Sequence, residues 1–304
     1  MHSPESRGGP RDAPDGARPR RGRGLVLPFL LLLGGMLLFG IAFADAAPNN
    51  PPTVVTSGGT LTYAEDSGPI VWDGGVLVDD LDGDPIQSAT VQISAGFVAA
   101  EDLLASAGGG GVTANWNGGS GTLTLSGSAP ASTYQIVLRQ VTYTNSSQNP
   151  TTAARTVTVV VSDGVDPSAS ATRDIAVTSV HDNPVLTLTG GSLAYTEGSG
   201  AVAVDVGATA VDAENDIVSA SLQITGGYVA AEDALAYANA LGITAIWNSG
   251  SGTLTLTGAA TTANWQAALR NVTYTNASAN PTAPPRTVTA TLSDGSATSA
   301  AATR

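Results

Sequence analysis

The sequence predicts an all-β protein: two tandem β-sandwich repeats behind an N-terminal signal or anchor segment. The body repeats itself at a spacing of about 131 residues. The repeated strings are short runs of Val, Thr, Leu and Tyr, punctuated by Asn, Asp and Gly. Each copy holds only one short helical pattern. Many short strands with so little helix are the pattern of a sandwich in each copy.

The leader comes first. Residues 1–46 hold six of the 12 basic residues, all arginine, and only four of the 25 acidic ones. Arg18, Arg20, Arg21 and Arg23 precede an apolar run from Leu25 to Phe43, with the small residues Ala42, Ala44 and Ala46 at its end. Basic, apolar, then small-x-small is the order of a secretory signal. The run of 19 residues is also long enough to span a bilayer, so an uncleaved anchor with its basic end in the cytoplasm is the rival reading. Pro28 and the Gly34-Gly35 pair interrupt a long straight helix and favour cleavage after Ala46. On either reading the rest of the chain is extracellular or at the cell surface, and touches membrane only through this segment if it stays uncleaved.

Composition removes most function classes. Cysteine is absent, which excludes disulfides, zinc ribbons, iron–sulfur sites and thiol catalysis. The two histidines are His2, in the leader, and a lone His181, so a histidine metal site or catalytic triad has almost nothing to draw on. The net charge is −13, and −15 without the leader. So acidic a body repels nucleic acid and anionic lipid and suits a cation.

The duplication is specific. Val98-Ala-Ala-Glu-Asp102 recurs as Val229-Ala-Ala-Glu-Asp233, and Gly121-Thr-Leu-Thr-Leu125 as Gly252-Thr-Leu-Thr-Leu256. Val141-Thr-Tyr-Thr-Asn145 returns as Val272-Thr-Tyr-Thr-Asn276, and Arg155-Thr-Val-Thr158 as Arg286-Thr-Val-Thr289. Repeat one spans 51–182 and repeat two 183–304. Thr122 to Ser126, Val141 to Thr144, Thr156 to Val161 and Leu193 to Glu197 read as strands. Tyr134 and Leu138, and Trp265 and Leu269, are four apart and share the face of a helical turn, with Ser132 and Gln135 as a capping box in copy one. Copy one continues past Arg173 with Asp174-Ile-Ala-Val-Thr-Ser-Val180. Copy two stops at the equivalent Arg304 and is expected to lack its closing strand, as in a truncated reading of a longer protein.

The carboxylates cluster at equivalent places. In copy one they sit at Glu65, at Asp80, Asp82 and Asp84, at Asp163 and in the junction Asp182-Asn183. In copy two they return at Glu197, at Asp212, Glu214 and Asp216, and at Asp294. Closely spaced carboxylates supply several of the oxygens that a hard cation such as calcium takes. Asp80-x-Asp82-x-Asp84 opens like an EF-hand, but Pro85 and Val91 fall where that loop needs glycine and glutamate. Turn shaping by Asp and Asn is the competing explanation.

These strings, taken in order with Val180-His-Asp-Asn-Pro184, the Ser-Asp-Gly turns and Trp265-Gln-Ala-Ala-Leu-Arg270, resemble the cadherin-like repeats of large bacterial surface proteins. The resemblance covers nearly all of 51–304. It implies an Ig-like sandwich module with calcium at or near the junction between repeats, and a role in adhesion or as a stalk. Carried over position by position, the metal ligands it implies are Glu65, Asp80, Asp82, Asp84, Asp163, Asp182, Asn183, Glu197, Asp212, Glu214, Asp216 and Asp294. The Leu-Asp-Arg-Glu loop of animal cadherins is missing, so the site is incomplete or differently built.

Other constellations point away from catalysis. Glu101-Asp102 and Glu232-Asp233 are adjacent pairs expected on opposite strand faces, and their duplication suits a structural role. Trp116 and Trp247 suit the core better than sugar stacking. The expected function is therefore non-enzymatic: a calcium-binding repeat protein of surface adhesion or spacing, with other surface proteins or polysaccharide as partners and no nucleic acid. The alternative is an extracellular polysaccharide-binding module.

Overall fold

Alternation of apolar and hydroxyl residues along Arg155–Ser162 buries Val157, Val159 and Val161 and leaves Thr156 and Thr158 half-buried. This period of two recurs through a computed structural model that describes residues 48–281 and 284–304. The leader, expected over 1–46, lies outside the described residues.

In chain order, repeat one contains β1 (Thr53–Val55), β2 (Leu61–Ala64), β3 (Ile70–Val71), β4 (Leu77–Asp79), β5 (Ile86–Ala95) and β6 (Asp102–Ala105). Next come β7 (Thr113–Asn117), β8 (Thr122–Ala129), α1 (Ala131–Leu138), β9 (Thr142–Asn145), β10 (Arg155–Ser162) and β11 (Ala171–Thr178). The strands form a six-stranded sheet in the order β2-β11-β10-β5-β8-β7, a three-stranded sheet β3-β9-β6, and the pair β1-β4. Side chains of both larger sheets meet in one core. Val91, Leu125 and Val159 come from one, Leu104 and Tyr143 from the other, and Tyr134 and Leu138 of α1 join them.

Repeat two contains β12 (Val185–Thr187), β13 (Val202–Ala203), β14 (Thr209–Val211), β15 (Ser219–Gly226), β16 (Asp233–Ala236) and β17 (Ile243–Asn248). It ends with β18 (Thr253–Gly258), α2 (Thr262–Arg270), β19 (Thr273–Asn276), β20 (Thr287–Ser293) and β21 (Ala302–Thr303). The sheets are β17-β18-β15-β20-β21, β13-β19-β16 and β12-β14, around a second core. The chain is thus two tandem β-sandwiches, as the sequence predicts.

Three expectations need correction. Ser132 and Gln135 form no capping box: Pro130 is the N-cap of α1, with no side-chain cap, and Gln135 Oε1 instead accepts the Val78 amide at 3.1 Å. Residues 193–197 form no strand, and Leu193 is 40% exposed. Their counterpart β2 is held parallel to β11 through Ile175 to Thr178; among the described residues no strand pairs with 193–197. Third, Glu101 does not face away from Asp102. It lies in the turn before β6, and both carboxylates converge on Arg155.

That convergence is the densest polar feature of each sandwich. Arg155 is fully buried, its Nε 3.2 Å from both Asp102 oxygens and its Nη2 3.0 Å from Glu101. Asp102 also accepts from Tyr143 Oη at 2.6 Å and Asn145 Nδ2 at 2.9 Å. Repeat two rebuilds it with Arg286, Asp233, Glu232, Tyr274 and Asn276. Burial tends to raise the Asp233 carboxyl, but its bonds from Tyr274, Arg286, Val229 and Asn276 outweigh that and hold it below the usual carboxylate range. Every charge here is paired and hydrogen-bonded, which is the condition for burying it at all.

Candidate metal centre

The junction between repeats is built by the linker Val180–Pro184, the loop after β14 and the turn after β20. Asp212-Ala-Glu-Asn-Asp216 folds back tightly: Asp212 Oδ1 accepts the Asp216 amide at 3.1 Å, and Asn215 sits at φ 59°. Gly83 takes the same left-handed position in copy one at φ 76°. Asn tolerates this region better than most side chains, which is the local signature of the turn. The loop brings one oxygen each of Asp212, Glu214 and Asp216 within 4.8 Å of one another.

Burial makes the cluster unusual. Asp182 Oδ2, Asp212 Oδ2 and both Glu214 oxygens are shielded from solvent and have no hydrogen-bond partner. A buried polar atom left unsatisfied costs about 1–3 kcal/mol, more if charged. The three in the acidic loop, Asp212 Oδ2 and both Glu214 oxygens, form a nest of unpartnered carboxylate oxygens, and the fourth lies in the linker. Desolvation pushes the Asp216 carboxyl up, and the charge of Asp212 and a hydrogen bond shared with it add to the shift.

His181 sits at the margin of the nest, its Nε2 3.1 Å from Asp294 Oδ2. That hydrogen bond raises the imidazole pKa; desolvation opposes the shift, and the charges of Asp294, Asp216 and Glu214 reinforce it. Burial would raise Asp294, but the Ala297 and Ser296 amides, both 2.6 Å from Oδ1, and then His181 hold it down.

The equivalent pole of repeat one is built differently. The repeat offset is 132 in this part, because Pro85 lengthens the loop of copy one by one residue. Asn49 and Asn50 therefore stand where His181 and Asp182 stand. Asn49 Nδ2 donates to Asp163 Oδ2 and Asp166 Oδ2, each at 3.0 Å. Asn50 gives Asp82 its backbone amide at 2.5 Å and its Nδ2 at 2.8 Å. Asp80 Oδ1 accepts the Asp82 and Asp84 amides, leaving only Asp80 Oδ2 partnerless. Asp82 and Asp84 are exposed. The amides of Asp166 and Val165 and the side chain of Asn49 hold Asp163 low against its partial desolvation.

The structure thus sorts the expected ligands. It brings together Asp212, Glu214 and Asp216, with His181 and Asp294 beside them, while Asp182 stays in the linker with one buried, partnerless oxygen. Glu65 is buried and tied to the linker, its Oε2 accepting from the Val180 amide at 2.8 Å and from Ser179 Oγ at 3.2 Å, while Oε1 has no partner. Asn149 of repeat one also reaches the acidic loop, Nδ2 to the Ala213 carbonyl at 3.2 Å. Glu197 and Asn183 are exposed and join no cluster. In copy one the carboxylates of Asp80, Asp82 and Asp163 are each bound by amides, and Asp84 is exposed and gives its own amide to Asp80. Sequence reasoning missed Asn49, Asn50 and Asp166. The string Asn49-Asn50-Pro51-Pro52 preceding β1, set against His181-Asp182-Asn183-Pro184 at the junction, was the signal for the first two.

The tryptophans proposed against sugar stacking are half-buried. Trp116 packs edge-on to Phe97 at 6.1 Å, Trp247 edge-on to Tyr228 at 6.3 Å, and all four lie against their repeat's core.

No family model matches the chain. Over 117 residues it is 39% identical to halomucin of Haloquadratum walsbyi (strain DSM 16790 / HBSQ001), a match that covers 37% of this chain and 1% of that protein. Among solved structures it is similar to cadherin-like and Ig-like β-sandwich domains of surface proteins. The C-terminal domain of the Streptococcus pyogenes antigen I/II-family protein AspA aligns at 9% identity with a TM-score of 0.25, covering 84% of this chain and 99% of that one. Human CDH23 EC21-23 aligns at 15% identity and a TM-score of 0.30, covering 84% and 63%. Protocadherin Gamma B2 extracellular cadherin domains 1-5 align at 13% and 0.31, covering 84% and 39%.

Proposed function

We propose that the chain is an exported, non-enzymatic repeat protein that binds calcium between its two sandwiches and acts in surface adhesion or as a stalk for other domains. One observation carries the reading. Asp182, Asp212 and Glu214 present four buried carboxylate oxygens without partners at the junction. Calcium takes six to eight oxygens and tolerates irregular geometry, so this donor set suits it better than magnesium or zinc. A bound divalent cation would supply the positive charge the nest lacks. Asp182 belongs to the linker, while Asp212, Glu214 and Asp216 belong to repeat two. Holding all four together would fix the linker against the second sandwich. The basic, apolar, small-residue leader supports export.

Calcium titration of the full chain by calorimetry tests this, with Kd expected at about 10⁻⁴ to 10⁻³ M for an extracellular module. Small-angle scattering should show a stiffer particle with calcium than with chelator. Absence of binding at 10 mM calcium (~10 times the weaker limit) would end the reading.

A further inference from the structure

Three Asn-x-Ser/Thr strings occur in the chain, at Asn145, Asn271 and Asn276, each the pattern of an N-glycosylation acceptor. The fold separates them. Asn145 is 5% exposed, and its Nδ2 donates to Asp102 Oδ1 at 2.9 Å and to Glu101 Oε2 at 3.3 Å. Asn276 Nδ2 donates to Asp233 Oδ1 at 2.8 Å and to Glu232 Oε2 at 3.4 Å. Each commits both amide hydrogens to the carboxylate pair of its repeat, so a sugar on that nitrogen would take a donor from a paired charge. Both copies carry these two asparagines for that structural reason.

Asn271 is different. It ends α2, is exposed, and among the described residues its side chain makes no hydrogen bond. Its counterpart in repeat one is Gln140, exposed at the end of α1, so ending the helix does not require asparagine. Asparagine is favoured at a helix end where the backbone turns left-handed, but Asn271 lies at φ −96° and ψ 0°. Folding therefore gives this side chain no task.

We infer that Asn271 is an N-glycosylation acceptor, taking an oligosaccharide from a lipid-phosphate carrier. This rests on the chain being exported, not on its binding calcium. In the transfer Asn271 Nδ2 attacks C1 of the sugar. An N–C1 bond forms and the C1–O bond to phosphate breaks; the lipid phosphate leaves with the electron pair, and one amide proton passes to a base of the transferase. Val272 is fully buried, and Thr273 is paired in β19 with its Oγ1 donating to the Ala236 carbonyl at 3.3 Å. The transferase reads that hydroxyl, so attachment precedes closure of the second sandwich. The folded chain then holds the glycan away from the acidic nest. Asn215 Oδ1 of the acidic loop accepts the Thr262 amide at 2.6 Å, at the start of α2. Asn271 is at the other end of that helix, about 13 Å along its axis.

The test expresses the full chain behind its own leader in a secretory host whose transferase reads Asn-x-Ser/Thr. Mass spectrometry of the folded chain then maps the glycopeptides. Asn271 should be occupied in more than half of the molecules, with Asn145 and Asn276 bare. Thr273→Ala should empty the site and Thr273→Ser should keep it. Asn271→Gln, which copies Gln140, should remove the glycan. Gly119→Thr supplies a control, because it makes Asn117, exposed at the turn between β7 and β8, a further acceptor. Asn271 bare while Asn117 is filled overturns the assignment, as does a glycan on Asn145 or Asn276 of the folded chain. Asn117 bare as well overturns the exported reading, and this site with it.

Discussion

His181 reaches Asp294 across 113 residues, Nε2 to Oδ2 at 3.1 Å, and Asn49 makes the corresponding reach to Asp163 at 3.0 Å. The two poles share one architecture and differ in charge. At the first pole, side-chain amides of Asn49 and Asn50 donate to Asp163, Asp166 and Asp82. At the junction an imidazole and a further carboxylate, Asp182, take their places. Charge complement, rather than backbone geometry, makes the junction a candidate cation site.

Stability in chelator should depend on pH through this pair. The raised His181 pKa means that its contribution is complete below the ordinary value of 6.5 and fades as pH rises through the raised value. The lowered Asp294 carboxyl acts in the opposite sense: its contribution is present above 3.8 and lost as pH falls through its depressed value. Thermal melting across pH 5 to 9 (a window reaching about 1.5 units below and about 2.5 above the ordinary histidine value) should show the first fall. His181→Asn, which copies Asn49, should flatten it.

Glu214→Gln should separate folding from binding. Removing one charge from the partnerless nest should stabilise the chain in chelator by about 1 kcal/mol, read from urea unfolding. The same change should weaken calcium binding about tenfold or more. A variant less stable in chelator than the parent would show that Glu214 has a favourable partner.

Asn50→Asp places at the first pole the residue found at the second. Asp82 would lose the Nδ2 bond at 2.8 Å and face a like charge instead. The bond is solvent-exposed, so a loss of roughly 0.5–1.5 kcal/mol is expected in chelator, smaller at high salt. An unchanged midpoint at low salt would contradict the role given to Asn50.

Arg155→Ala should cost about 3–5 kcal/mol, because Asp102 is then left buried without its cation. Arg286→Ala should cost less, since the Arg286 side chain is 11% exposed and Arg155 is 0%. Equal losses in denaturant unfolding would mean that the greater exposure of Arg286 leaves its ion pairs unaffected.

Hydrogen exchange on the full chain should find repeat two opening at lower free energy than repeat one. Asn145 is 5% exposed and Tyr143 fully buried, whereas Asn276 and Tyr274 are half-buried. Fewer buried contacts around β19 and β20 lower the cost of local opening. Equal protection of β10 and β20 would refute this.

The sequence by itself determined what depends on neighbours along the chain. The duplication, the period-two strands around Thr122 and Thr156, the helical turns marked by Tyr134 and Trp265, and the acidic loop Asp212–Asp216 are local patterns, and each appears where its spacing puts it. Only the tertiary structure decided what depends on a distant partner. Leu193 to Glu197 has strand composition but no strand, because a strand exists only with a neighbour to complete its hydrogen bonds, and Glu197 is left outside the site with it. Asp82 and its counterpart Glu214 lie in similar strings, yet Asn50 gives the first two donors, while both carboxylate oxygens of the second are buried without a partner. Similar strings thus become a satisfied turn in one repeat and a charge-deficient nest in the other, because the energy of a carboxylate is set by the donors that folding brings to it.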